Sequence, residues 1–357
     1  LQESLAFMLT HDAHAMIYEP AAEEIEAQVR YEYFFADGFF FSKDVNGSYY
    51  MVNDGERWTL SSFSDEHVSV QPTLLQDGRI VYQPTLFALR KDAVQSSVTL
   101  KNSSGKAKIY RLDWTESQPL DVDLGTLDYR LIQEDGLTYV SLRSLVSGTY
   151  DNMLARYARE GAKARGSKAV IYDLRGNVGG SDSWPRKWIQ SFLGTQNSIE
   201  TSMLYAQKNS ALFAAENSES LLPEDEGTCF AREVHGTWYE NDIPIIVLVD
   251  DHCGSSGEGA VQLLKTLDNV LVVGSNTAGY QLCGNISTFT LPYTGIGVRF
   301  GSTLFLYGDG ENVDHRGYVP DVWCDPQDAL ASVLALLKEQ GVVSADACET
   351  VREKIVK

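Results

Sequence analysis

Two hydrophobic periods divide the chain. From residue 21 to 112, short alternating runs rich in aromatic and β-branched residues succeed one another: "YEYFFADGFFFSKDVNGSYYMVNDGERWTL", "GRIVYQPTLFALR" and "SSVTLKNSSGKAKIYRLDW". The turn signals "DVNGS", "VNDGE" and "NSSGK" between these runs predict hairpins, so 21–112 reads as a small β-rich module. A connector-like stretch containing "TESQPLDVDLGT" places a linker at 113–126. From there the period changes. Apolar strands "LTYVSLRSL", "KAVIYDLRGN", "IPIIVLVDD" and "VLVVGSNT" alternate with the helical patterns "NMLARYAREGAKARG", "SWPRKWIQSFLG", "SGEGAVQLLKTLD" and "DPQDALASVLALLKEQG". Unbroken apolar strands between helices predict a sheet covered on both faces, hence an α/β domain over 127–357. The opening "LQESLAFMLTHDAHAMIYEP" reads as a helix already under way, making residues 1–20 the end of an N-terminal helical region.

A chain of 357 residues suits two domains, and 43% hydrophobic with 22% charged residues is ordinary globular composition. The formal charge of -20 argues against nucleic acid and anionic membrane as partners, because polyphosphate would be repelled. No apolar run reaches the roughly 20 residues that span a bilayer. Cys229, Cys253, Cys283, Cys324 and Cys348 are scattered without CxxC spacing, which speaks against a zinc cluster or a complete disulfide framework. Cys253 and Cys283 read as small buried apolar residues. The start lacks an initiator Met, so we expect a trimmed N-terminus, and a missing leader then says nothing of compartment.

Two loops carry candidate chemistry. In "VDDHCGSSGEGAVQLLK" (249–265) a buried strand gives way to a helix, and Ser255-Ser256-Gly257-Glu258 fits a capping box. The same serines stand where free backbone N–H groups and the positive end of the helix dipole would meet an oxyanion. In "VIYDLRGNVGGSDSW" a strand ends in Asp173 and leads through Arg175, Gly176 and Asn177 to Gly179-Gly180, whose amides are exposed before a helix. Neither GxxxxGK[ST] nor GxGxxG is present, which disfavours a phosphate loop.

Taken in order, "DAH" (12–14), "YDLRGNVGG" (172–180), "SSGE" (255–258), "VGSNTAG" (273–279) and "VDHRGYVPDV" (313–322) resemble one family. It is the serine peptidases that include the C-terminal processing (tail-specific) proteases, the tricorn protease and the interphotoreceptor retinoid-binding proteins. The resemblance covers 127 to about 340 plus the opening segment. It implies a crotonase/ClpP-like catalytic fold, with Ser255 as nucleophile and the amides of Ser256 and Gly179 as oxyanion hole, Gly180 or Gly176 being alternatives for the latter. Tail-specific relatives place a basic lysine after "T-x-G"; here Tyr280 stands there, so the resemblance is closer to the tricorn and retinoid-binding branch. That branch implies His14 as general base and Asp314 as supporting acid, with Glu311 as an alternative. Ala13 replaces the hydroxyl residue that precedes the family's histidine. His252, three residues before Ser255, is a rival base, and an Arg316–Asp321 ion pair is expected to fix the C-terminal loop.

The β-rich module lies where many relatives carry a PDZ domain, and its last hairpin resembles one in degenerate form. The expected activity is serine endopeptidase action on protein or peptide substrates, needing no metal or organic cofactor. The alternative is an inactive binding protein on the same fold, taking a hydrophobic ligand or a peptide. Relatives of this architecture imply an extracytoplasmic setting, and a homo-oligomer is compatible with it.

Overall fold

The computed structural model describes residues 11–18, 31–89, 96–148, 150–210, 214, 226–308 and 313–356. Residues 1–10 of the expected opening helix and the alternative acid Glu311 therefore lie outside the described residues. The helix expected to reach residue 20 has already given way at Asp12. Its carboxylate accepts the His14 amide at 2.9 Å, a local turn that competes with helix, and strand β1 (Met16–Tyr18) follows.

The module supplies β2 (Tyr31–Ala36), β3 (Ser42–Lys43), β4 (Tyr49–Asn53), β5 (Glu56–Phe63), β6 (Val68–Leu74), β7 (Ile80–Leu89), β8 (Ser96–Lys101), β9 (Ala107–Leu112) and β10 (Trp114–Glu116). After it come β11 (Tyr129–Glu134), β12 (Leu137–Leu142), α1 (Asp151–Ala164), β13 (Ala169–Asp173) and α2 (Ser183–Leu193). The paired strands β14 (Met203–Lys208) and β15 (Cys229–Val234) precede β16 (Ile245–Val249), α3 (Ser256–Leu264) and β17 (Val270–Gly274). The chain closes with β18 (Cys283–Thr290), β19 (Gly297–Tyr307), β20 (Val322–Trp323), α4 (Ala329–Glu339) and α5 (Ala345–Val356).

A ten-stranded sheet runs β10-β2-β7-β6-β20-β17-β16-β13-β12-β11. Its centre is parallel, and every residue of β13 and β16 is buried, as their unbroken apolar sequences require. Leu154, Tyr157, Trp188 and Leu264 from α1, α2 and α3 fill one face, while Val333, Leu337 and Val351 from α4 and α5 fill the other. The α/β expectation holds. Helix α5 is an addition that the periodicity did not announce.

Two boundaries differ from expectation. The segment read as linker contains β10, whose Thr115 pairs with Phe35 of β2, so sheet continues through it. Trp114 anchors that strand by donating its indole N–H to Ser96 Oγ at 2.9 Å. The module is also joined to the central sheet, through the register Trp323↔Thr73 between β20 and β6. Its remaining strands form an antiparallel sheet, β3-β4-β5-β8-β9, over a core that includes Phe41, Trp58, Val98 and Leu100.

A third sheet, β1-β19-β14-β15 with β18 on β19, delivers the N-terminal turn to the rest of the domain. Met16 pairs with Arg299, and the Gly301 amide donates to Asp12 Oδ2 at 2.6 Å.

Candidate active site

Strand β16 ends at a tight turn held from the neighbouring strand. Asp250 Oδ1 accepts the Gly176 amide at 2.8 Å, and the Gly254 amide donates to the Asn177 carbonyl at 2.9 Å. The turn forces Ser255 to φ +51° and ψ -121° at the entrance of α3. A non-glycine residue there carries on the order of 1–3 kcal/mol of strain, retained only where the surroundings impose it. They do: a Cβ added to Gly179 would lie 2.8 Å from Ser255 Cβ and 3.0 Å from the Ser256 nitrogen. Gly179 is thus pressed against the serine pair, and Ser256 Oγ donates to the Gly180 carbonyl at 2.9 Å.

Gly179 is one of the two expected oxyanion donors. Its amide already donates to Asn177 Oδ1 at 2.9 Å, and that of Gly176 is committed to Asp250. Gly179 supplies room for the serine pair. Among the described residues the amides of Gly180 and Ser256 make no hydrogen bond.

Glu258 does more than cap the helix. It is fully buried and receives four donors: Thr277 Oγ1 (2.6 Å) and the Gly279 amide (2.9 Å) on Oε1, the Ser255 (3.0 Å) and Tyr280 (2.8 Å) amides on Oε2. Burial nonetheless pushes its carboxyl up to about 7. One side chain thereby ties the serine turn to the "SNTAGY" loop. That loop in turn binds the C-terminal motif: His315 N–H donates to the Gly279 carbonyl at 2.8 Å and Tyr318 N–H to Thr277 Oγ1 at 2.7 Å. Three of the five motifs read from the sequence meet in this one knot, and the Gly254 to Asn177 hydrogen bond ties a fourth to it.

His14 is buried on the far side of Tyr280, whose ring stands 5.4 Å from its own. The Tyr280 ring also closes on Gly254, where an added Cβ would be 2.8 Å from Cδ2. The side chain in the place of the family's lysine thus touches both the imidazole and the serine turn. Burial lowers the His14 pKa against the upward pull of Asp12, so the ring is neutral near pH 7. Its Nδ1 has no hydrogen-bond partner and lies 4.0 Å from Asp12 Oδ1, and no hydrogen bond joins it to Ser255.

Asp314 is buried in the same pocket. Its Oδ1 accepts the Gln281 (2.9 Å) and Leu282 (2.6 Å) amides and its Oδ2 the Ala13 amide (3.2 Å), while burial raises its carboxyl to about 6. Asp12, to which the sequence gave no role, is the carboxylate near Nδ1. Its signal was the D-x-H spacing, which lets a carboxylate accept the amide two residues on. The rival His252 makes no hydrogen bond with Ser255; its amide donates to Asp250 Oδ1 at 3.2 Å and its Nδ1 is buried without a partner.

Ion pairs brace the loops. Asp173 accepts from Arg143, Arg175 and Tyr139 in a fully buried network. Burial alone would raise its carboxyl, but the two guanidinium groups hold it far below the carboxylate range. The expected Arg316–Asp321 pair is not formed. Asp321 binds Lys265 at 2.7 Å and the Val272 amide at 2.8 Å, because it faces the end of α3, while the charge of Arg316 is felt at Tyr33 of the module. Cys253 and Cys283 are buried, as read.

A strained serine at a helix entrance, unengaged amides beside it and a neutral buried imidazole nearby have the make-up of a serine hydrolase site. The profile of peptidase family S41 matches residues 136–323, just over half of the chain, and the chain belongs to that family of serine peptidases. Among solved structures it is similar to a candidate peptidase from Parabacteroides merdae, at 23% identity over 62% of this chain and 68% of that one, TM-score 0.38. Mature CPAF is similar at 11% identity, over 94% of this chain and 86% of that one, TM-score 0.43. The photosystem II D1 C-terminal processing protease is similar at 15% identity, over 82% and 73%, TM-score 0.37. No curated protein sequence matches the chain.

Proposed function

We propose that the protein is a serine endopeptidase in which Ser255 attacks the scissile carbonyl and His14 accepts its proton. The observation that carries this reading is Ser255 itself, held at φ +51° against Gly179 with the Ser256 amide beside it. The carbonyl oxygen of the tetrahedral intermediate is received by the Ser256 and Gly180 amides, a revision of the Ser256 and Gly179 pair. Collapse returns the proton from His14 to the leaving amine, and water then releases the acyl group from Ser255 by the same steps. Asp12 and Asp314 together hold and polarise the imidazole. Catalytic hydrogen bonds are often long in free enzymes, and substrate is expected to draw His14 and Ser255 together. Tyr280, which has no amine to act as base, buttresses the imidazole and favours the tricorn-like over the lysine-dependent branch. A crotonase-like catalytic core and an extracytoplasmic setting are part of the same proposal.

The test is covalent labelling with a fluorophosphonate probe and cleavage of an unstructured protein substrate. Labelling is expected at Ser255, absent in Ser255→Ala and at least a hundredfold slower in His14→Ala. A folded protein that neither labels nor cleaves, or labels equally well in Ser255→Ala, overturns the reading.

A further inference from the structure

Behind His14, Asp12, Cys283 and Asp314 bring a carboxylate oxygen, a thiol sulfur and a second carboxylate oxygen within 4.8 Å of one another, all three residues buried. The peptidase reaction has no use for the thiol. The carboxylates are already oriented by backbone: Asp12 accepts the His14 and Gly301 amides, Asp314 those of Ala13, Gln281 and Leu282. An unpartnered nitrogen lies beside Asp12, just outside this group. His14 is only 6% exposed, and its Nδ1, 4.0 Å from Asp12 Oδ1, has no hydrogen-bond partner.

We infer that Asp12, Cys283, Asp314 and His14 form a binding site for a divalent cation of the zinc class. One imidazole nitrogen, one thiolate and two carboxylates are a donor set for a borderline-soft, four-coordinate ion, whereas calcium and magnesium require all-oxygen shells. Bonds of about 2.0–2.3 Å in a tetrahedron set donors about 3.3–3.8 Å apart, so the Asp12, Cys283 and Asp314 atoms close onto an ion with shifts of about 1 Å or less, and His14, which stands outside their 4.8 Å group, joins by a turn of its ring. Backbone donors to the carboxylates are the kind of outer support that fixes metal ligands. Charge favours the cation too. Burial and then the Asp12 and Asp314 carboxylates push the Cys283 thiol up to about 12, and Arg299 is the cation whose charge is felt at His14. A dication among these groups reverses the penalty on the thiolate, and the thiol proton leaves to solvent as the metal–sulfur bond forms.

The functional consequence rests on the reading of His14 as base: with Nδ1 on the ion the imidazole is pinned and cannot take the serine proton. Zinc is then a reversible inhibitor bound behind the catalytic base, relieved by a chelator.

Binding and consequence are tested separately, in the full chain carrying Cys229→Ser to remove the exposed thiol. Cobalt(II) titration is expected to give a near-ultraviolet thiolate-to-cobalt band saturating at one ion per chain and displaced by zinc. Cys283→Ser abolishes the band, and Asp12→Asn weakens zinc binding at least tenfold, with unchanged circular dichroism in both. Absence of the band and of one-site zinc competition against a chromophoric chelator overturns the site, as does unaltered zinc affinity in folded Cys283→Ser. Zinc is further expected to suppress fluorophosphonate labelling of Ser255, and a chelator to restore it. One-site binding with undiminished labelling keeps the metal site and overturns the inhibitory role.

Discussion

Glu258→Gln probes the knot around the proposed nucleophile with almost no change of volume. Each carboxylate oxygen faces two donors, Thr277 Oγ1 and Gly279 N–H on one side, Ser255 N–H and Tyr280 N–H on the other. Thr277 Oγ1 already accepts the Tyr318 amide, which directs its own proton to Glu258. Whichever way the glutamine amide turns, its NH2 group meets two donors. Hydrogen bonds to a charged acceptor contribute about 1.5–3 kcal/mol each, so the substitution costs about 3–6 kcal/mol. If about half of that falls on holding Ser255 at positive φ, the serine reacts about ten- to a hundredfold more slowly, at about 1.4 kcal/mol per factor of ten. The assay is the second-order rate of fluorophosphonate labelling, read beside the thermal midpoint of each protein. A glutamine variant with wild-type labelling rate and midpoint would refute the assignment of Glu258 as the tie between serine turn and loop.

Gly179→Ala should abolish labelling, since its Cβ would stand 2.8 Å from Ser255 Cβ and 2.9 Å from the Gly254 carbonyl at φ +102°; a fully active variant would contradict the geometry. Asp173→Ala strands Arg143 and Arg175 in the interior, and a loss of about 3–5 kcal/mol, on the order of 10 °C in thermal midpoint, is expected by calorimetry. Glu258 and Asp314 have folded-state values of about 7 and about 6, above their ordinary 4.5 and 3.8. Both therefore favour the folded state when protonated, fully below about pH 4, a contribution lost as pH rises through 6 and then 7. Chemical denaturation across pH 4–8 should show that decline, and Asp314→Asn should flatten its lower part; an unchanged slope would speak against a raised Asp314.

The elements legible in the sequence are those whose burial is uniform. The strands at 169–173 and 245–249 are covered on both faces, and that prints an unbroken apolar run. Long-range pairing leaves no such print. Trp114–Glu116 is too short to carry a period, and one register pair, Trp323↔Thr73, fuses module and domain. For the candidate site, residue types at motif positions singled out the serine pair, the glycine pair, His14 and Asp314. Which amides remain open was hidden, because it depends on the side-chain rotamer of Asn177, which takes the Gly179 donor. Asp321 chose Lys265 over Arg316 for a similar reason: ion pairs follow the distance between elements, not proximity in sequence.

The shared ten-stranded sheet also bears on biosynthesis. Strand β6 emerges early from the ribosome, but its neighbour β20 is made about 250 residues later. Until then β6 presents an open edge, the kind of surface on which nascent chains aggregate. Pro72 removes one amide donor from that strand and makes it a poorer template for stray pairing. Excising the module from a finished protein would shift the hazard to β20, whose two residues would become the new border of the catalytic sheet. Module and peptidase domain are therefore not separable parts, and a truncated catalytic unit should aggregate where the whole chain stays dispersed.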